Sequence, residues 1–285
     1  MTVLLALAAA VLYGVSDFAG GLASRRTSVW PVGLLACVGA LAGSLVVAVA
    51  LPGDPGPADL AWGLLAGVGS GSGTAFLYRG LSSGRMGVVA PVSAVGAVML
   101  PLAVGLLTGE RPDLFAWVGI LVALPGIWLV SREEGTVDGS DDATSDVRTG
   151  GSGLADGVLA GLGFGVLFAA LGQVPDSAGY WPLAANQLSS VLSMALVAVV
   201  LGGNPVPRRR ADAWGLLPGV LATLAVLLFV LATHHGLLSL AAVITSLYPA
   251  FTVLLAIVVL REHVHRPQAW GLALCAVTVV CVSLS

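Results

Sequence analysis

Ten apolar runs, each close to the length that crosses a bilayer, constrain this chain more than any other feature. They lie at about Val3–Gly21, Pro31–Leu51, Leu60–Tyr78, Val88–Leu107, Leu114–Val130, Leu154–Gly172, Leu183–Leu201, Ala213–Thr233, Leu240–Leu260 and Ala269–Leu284. The hydrocarbon core is ~30 Å thick and a spanning helix needs roughly 20 mostly apolar residues, so each run reads as one spanning helix. With 57% hydrophobic and 9% charged residues in a chain of 285, there is too little polar surface to cover a soluble domain. The expected fold class is an all-α integral membrane protein, multi-pass in the cell membrane. The first run has no basic segment before it, and its counterpart lies mid-chain, so it is read as a span and not as a signal peptide.

A polar break from Arg132 to Gly153 (REEGTVDGSDDATSDVRTGGSG) leaves five runs on each side. The two sides repeat one another. A shift of 152 residues lays Ala61-Trp62-Gly63-Leu64-Leu65-Ala66-Gly67-Val68 on Ala213-Trp214-Gly215-Leu216-Leu217-Pro218-Gly219-Val220, seven identities in eight, and sets Gly84 on Gly236. A shift of 151 covers the earlier part, where Tyr13-Gly14-Val15 meets Phe164-Gly165-Val166 and Trp30-Pro31 meets Trp181-Pro182. A repeat of this length, far above solenoid periods, indicates a duplicated domain. The expected organisation is a repeat over 1–131, an acidic cytoplasmic linker over 132–153 and a second repeat over 154–285.

Arginine, the only strong cation in a chain without lysine, sets a topology. Arg25, Arg26, Arg79, Arg85, Arg132, Arg148, Arg208, Arg209, Arg210, Arg261 and Arg266 flank one side of the spans, against Arg111 alone on the other. Basic residues near helix ends stay in the cytoplasm, so this eleven-to-one bias puts the linker inside and both termini outside. Five spans per repeat is an odd number. The homologous halves therefore face opposite ways, giving ten transmembrane helices as two inverted five-helix repeats, a plan that builds two gates around a midplane site. Cys37, Cys275 and Cys281 sit inside apolar runs without metal-ligand spacing and read as buried small hydrophobes.

Each half closes on one pattern: Leu107-Thr108-Gly109-Glu110 with Gly119 nine residues on, and Leu260-Arg261-Glu262 with Gly271. This resembles the EamA domain of the drug/metabolite transporter superfamily, and the five-plus-five plan resembles it over nearly the whole chain. The resemblance implies a transporter, an exporter of small metabolites such as amino acids, working by alternating access with helices from both repeats around a central cavity. It implies no cofactor, a small-molecule substrate, a lipid bilayer and no nucleic acid, with a proton as the candidate coupling ion and a monomer or homodimer as the assembly. Asp17, within Gly14-Val15-Ser16-Asp17-Phe18, and the long acidic linker depart from the family's usual pattern.

Asp17 is the clearest acid inside a spanning run. A carboxylate there is costly unless paired or facing water, so it is read either as a functional group or as a helix-end partner of Arg25, Arg79 or Arg85. Its repeat counterpart is Phe168, so the fold does not need an acid at this position. Proline in Thr245-Ser246-Leu247-Tyr248-Pro249, facing Pro91-Val92-Ser93 and Pro101, removes a backbone bond in mid-membrane and leaves a carbonyl for a ligand or for a kink. The candidate substrate-binding residues are Asp17, Ser93, Gln187, Ser246 and Tyr248. Asn186, Gln187, Ser189, Ser190 and Ser193 either line a wet path or bond a neighbouring helix. Glu110 and Glu262 precede Pro112 and Pro267 and are expected near the positive end of the following helix. His234 and His235 fall at the outer end of the eighth run, where histidine is common at membrane interfaces.

Two rival classes fit the sequence less well. A membrane-embedded enzyme needs paired acids or a metal cluster, and these runs hold no such spacing. A structural or lipid-carrier protein has no need of inverted halves. The topology is open to a direct test: a reporter inserted at residue 140 should read as cytoplasmic and reporters at both termini as external. A cytoplasmic C-terminus refutes the arginine count.

Overall fold

A computed structural model describes residues 1–24, 28–51, 53–82, 86–130, 150–260 and 266–284. Arg25, Arg26, Gly84, Arg85, Arg132, Arg148, Arg261 and Glu262 lie outside them, as does the linker through residue 149. The helices are α1 (Thr2–Ser24), α2 (Val29–Ala50), α3 (Pro57–Ser82), α4 (Met86–Leu107), α5 (Leu114–Val130) and α6 (Gly150–Leu171). They continue as α7 (Trp181–Val200), α8 (Leu216–His234), α9 (Leu238–Thr245), α10 (Tyr248–Leu260) and α11 (Arg266–Ser283), with short 3-10 turns at Asp176–Ala178 and Arg210–Gly215. Eight stretches among the described residues are long and apolar enough to cross a membrane, Leu238–Val259 counting as one across the α9–α10 break. Val92–Leu107 and Leu114–Val130 are apolar but shorter. Large apolar side chains such as Val46, Leu192, Leu196 and Val258 are mostly exposed, while alanine, glycine and serine fill the interior, an arrangement suited to lipid.

Three boundaries differ from the sequence-based expectation. Helix α6 starts at Gly150, so the last residues assigned to the linker are already helical. Helix α8 starts at Leu216 rather than Ala213, because Asp212 Oδ2 accepts the backbone N–H groups of Arg208 and Arg209 at 2.9 Å each and holds Arg210–Gly215 in a 3-10 turn. The ninth run is two helices. Pro249 has no N–H and its ring crowds the carbonyl of residue 245, so α9 ends at Thr245 and α10 begins at Tyr248. Its counterpart in the first half is Ala97, and α4 runs on unbroken.

Most of the packing is between halves. Helix α3 is held between α6 and α7, and α8 between α1 and α2; α4 lies on α6, α9 and α10 lie on α1, and α5 lies on α11. Exchanging α1 with α6, α2 with α7, α3 with α8, α4 with α9–α10 and α5 with α11 maps these pairings onto one another. Glycine makes the approach possible. On α3, Gly63, Gly67 and Gly71 meet α7 at the carbonyls of Pro182, Asn186 and Ser190, while Gly69 and Gly73 meet α6 at the carbonyls of Gly163 and Ala160. The face Gly157, Gly161, Gly165 of α6 lies on α4, and its counterpart Gly14 lies on α10 at the carbonyl of Tyr248.

A Cβ built on Gly161 would stand 2.9 Å from the Cα of Gly96 and 3.0 Å from the Ser93 carbonyl oxygen, both backbone atoms that cannot swing aside. Gly161→Leu should therefore destabilise the protein by about 1–3 kcal/mol, as overpacking does. A clear fall in the thermal midpoint in detergent is expected, and an unchanged midpoint would remove α4 from this face.

Candidate functional site

A partly open cavity of about 110 Å³ lies between the two halves. Helices from both repeats build it. Its walls divide by repeat. From α1 and α3 come Tyr13, Ser16, Asp17, Ser70, Thr74 and Tyr78. The counterparts of Tyr13, Ser16, Asp17, Ser70 and Thr74 are Phe164, Leu167, Phe168, Ala222 and Val226, and all five line the cavity too. On the remaining pair the polarity reverses, with Gln187 and Ser190 from α7 and Ala36 and Cys37 from α2. The cavity thus has a polar side made by α1, α3 and α7 and an apolar side made by α2, α6 and α8.

Local bonding fixes these walls. Ser16 Oγ donates to the Pro218 carbonyl at 2.8 Å, and Thr223 Oγ1 donates to the Ala40 carbonyl at 2.9 Å, tying α8 to α1 and α2. Ser190 reaches Ser70 Oγ at 3.4 Å and Cys37 Sγ at 3.5 Å, and Ser193 donates to the Gly67 carbonyl at 3.1 Å. So the polar run of α7 does both things expected of it: Gln187 and Ser190 face the cavity and Ser193 bonds α3. Asp17 is partly buried on the polar side and forms no ion pair among the described residues. Arg79, one of the partners considered for it, pairs instead with Asp156 of α6 and stacks 5.1 Å over the Phe76 ring.

One end of the cavity is sealed. Phe168 and Phe229 stack with ring centroids 4.7 Å apart, and Ala6, Ala9, Leu167, Leu171, Val230 and Leu238 pack around them. This is the end where Thr2 meets Gly236 and Leu238 meets Gly172. The repeat counterparts of Phe168 and Phe229 are Asp17 and Leu77, and both line the cavity.

Of the five candidate residues, the structure brings Asp17, Gln187 and Tyr248 together on one wall system. Ser93 and Ser246 are fully buried outside the lining. Ser93 stands behind Tyr248, within reach of a side-chain hydrogen bond to it, and Ser246 occupies the α9–α10 break without a hydrogen-bond partner for its hydroxyl among the described residues. Tyr13, Ser16, Ser70, Thr74 and Tyr78 were missed. Each is a polar residue on α1 or α3 whose counterpart in the repeat is apolar, Val230 in the case of Tyr78, so comparing the two halves for polarity would have found all of them.

The model of the EamA-like transporter family matches residues 1–132 and again 151–284. The chain belongs to this family. No curated protein matches it. A solved structure described only as "Crystal structure of protein" is similar to it with a TM-score of 0.72 and 18% identity, over 99% of this chain and 96% of that one. That likeness shows a shared fold. An EamA-like chain is a membrane transporter, so a small-molecule substrate and a lipid bilayer are its partners, and a transporter rather than an enzyme is the class the family represents.

The glutamate that carried the family pattern does not sit where it was expected. Glu110 of this EamA-like transporter accepts the backbone N–H groups of Leu238 and Ser239, at the start of α9 in the other half, and not those of the following helix α5. Asp113 fills the latter role, its Oδ1 accepting Ala116 N–H at 2.8 Å. Helix α9 has leucine at its N-cap and no cap of its own, so a carboxylate from the first half serves the orphan donors and the positive helix end. At the same end His234 pairs with Asp176 and bonds the Val174 carbonyl at 3.0 Å through Nε2. Glu110→Ala should cost about 1–2 kcal/mol, the usual loss on removing a cap. Thermal unfolding in detergent would register it, and an unchanged midpoint would show that the contact contributes nothing.

Proposed function

We propose that this transporter moves small metabolites outward by alternating access, with the cavity between the halves as its substrate site. One observation carries the reading: a cavity between the halves is walled by repeat-related helices whose pairings exchange onto one another. Such exchange is what two five-span repeats of opposite orientation produce, and rocking one half against the other then opens each end in turn. By the arginine bias the end carrying Arg79 is cytoplasmic, so the Phe168–Phe229 seal is external and the cavity faces the cytoplasm, as loading of an exporter requires.

Asp17 is the coupling group in this reading. It is the one carboxylate on the cavity wall among the described residues, and it exchanges a proton for substrate as the halves rock. Tyr248, at the α9–α10 break, is a ligand contact held by Ser93.

In proteoliposomes screened with candidate solutes, Asp17→Asn should abolish the pH dependence of flux while the protein remains folded and inserted. Tyr248→Phe should weaken apparent affinity more than maximal rate. Undiminished proton-coupled flux in the Asn variant would remove Asp17 from coupling.

A further inference from the structure

We infer that this transporter holds an anionic phospholipid at the membrane surface, with the headgroup phosphate bound by Arg208 and Arg209 in a cleft between the start of α2 and the α7–α8 connection. The site is separate from the cavity between the halves and does not depend on what that cavity carries.

The cleft encloses about 270 Å³ and is lined by Ser28 of the first half and by Asn204, Val206, Arg208, Arg209 and Asp212 of the second. It is a built feature. A Cβ on Gly203 would stand 2.6 Å from the Trp30 ring, so the connection lies hard against the start of α2, and the turn Arg210–Gly215 packs on the same helix. Asp212, the carboxylate in the lining, is buried and accepts the backbone N–H groups of Arg208 and Arg209 at 2.9 Å each. That bonding fixes the backbone of two consecutive arginines and occupies their N–H groups. Recognition of an anion therefore falls to the side chains, and both arginines are exposed.

The donors suit a phosphate. A guanidinium group meets phosphate oxygens through paired, parallel N–H bonds, which a point charge cannot do. Two neutral groups share the cleft with the arginines. Asn204 Oδ1 accepts Val206 N–H at 3.0 Å, which fixes the amide and leaves its nitrogen as a donor, and Ser28 stands at the N-cap of α2 without spending its hydroxyl on a cap bond.

Depth decides between a lipid and a soluble anion. Helix α7 ends at Val200, α8 starts at Leu216 and α2 starts at Val29, so the cleft lies where three spans leave the hydrocarbon, at headgroup level. Trp214 is exposed beside it, as is common where aromatic residues mark the interface. Val206 in the lining is also exposed, and Val38 of α2 with Leu196, Val199 and Val200 of α7 present apolar surface to the bilayer. Acyl chains can lie along these side chains while the phosphate stays in the cleft, whereas a free anion gains nothing from them. Basic pockets between spans on the cytoplasmic side are where lipid headgroups are recognised, and the arginine bias puts this end in the cytoplasm.

Neither the fold nor the orientation of the chain requires this arrangement. The equivalent connection of the first half, residues 53–59, carries Asp54 and Asp59 and no cation. Orientation needs positive charge near helix ends and no cleft to hold it. A lipid seated here touches α2 of one half and the α7–α8 connection of the other, and so bridges the repeats.

The test is native mass spectrometry of the whole, delipidated protein with phosphatidylglycerol and phosphatidylcholine of identical chains. Phosphatidylglycerol should bind at least fivefold tighter. Arg208→Gln combined with Arg209→Gln should bring it down to the phosphatidylcholine level, while Arg266→Gln, at another helix end on the same side, should leave it unchanged. Arg208→Lys with Arg209→Lys keeps the charge that orients the chain but loses the planar fork, and should weaken phosphatidylglycerol at least twofold. If the Gln pair does not fold or insert, the Lys pair and Ser28→Ala, which should also weaken it, still decide.

Equal affinity for the two lipids, undiminished phosphatidylglycerol binding in the Gln pair, or full affinity in the Lys pair overturns the inference. So does an equal loss in Arg266→Gln, which would mean attraction to any surface arginine. Glycerol phosphate carries the phosphate without the chains and should not displace the lipid even in large excess; displacement gives the site to a soluble anion. Deleting residues 136–147 removes most of the acidic linker, and a phosphatidylglycerol preference seen only after that deletion gives the arginines to the linker instead.

Discussion

Close approach of helix backbones through glycine is the interaction on which the rest of this structure depends. In lipid no hydrophobic effect drives one helix toward another, so association rests on dispersion over matched surfaces and on hydrogen bonds across them. Helix α3 makes both of its major contacts this way, with one glycine stripe for α7 and a second, offset stripe for α6. Because both partners belong to the other half, the contacts that hold each helix are also the ones that join the repeats. A cavity between the repeats is the space left where side chains replace this backbone contact, at Tyr13, Tyr78, Phe164 and Tyr248.

Two kinds of contact recur between the halves. Gly63, Gly67, Gly69 and Gly73 bring backbones together and leave no room for a side chain. Serine and threonine hydroxyls bridge elsewhere, as Thr252 does to the Gly14 carbonyl at 3.3 Å, and each such bond is worth only about 1 kcal/mol in a membrane. Such an interface is a sum of many small terms.

Much of this was legible in the sequence, and the missing parts share a cause. Run length gave the spans, the 151 and 152 shifts gave the repeat, and small residues every fourth position gave the packing faces, because all three are periodic properties of the chain itself. Asp17, Gln187 and Tyr248, which line the cavity, stand out in the sequence because polarity inside an apolar run is visible locally. Glu110 was placed at a helix N-terminus but at the wrong one, since a cap supplied from the other half leaves no mark in the local sequence. Asp156 was overlooked near the start of its run, and its partner Arg79 lies 77 residues away. Ser246 was assigned to the cavity from its place beside Pro249, but the break turns its hydroxyl into the packed interior and leaves Tyr248 to face the opening.

The two halves are duplicates, yet the stacked phenylalanine pair belongs to the second half, where the first half has Asp17 and Leu77 at the equivalent positions. Had both halves kept phenylalanine at the 17 and 168 positions and at the 77 and 229 positions, each end would have an equal aromatic plug, and closing either would yield the same packing. Here one end has Phe168 stacked on Phe229, and the other has Asp17 and Leu77, with an ion pair between Arg79 and Asp156 nearby. The aromatic pair contributes about 0.5–1.5 kcal/mol beyond its buried area, a contribution that the first half lacks at the equivalent positions.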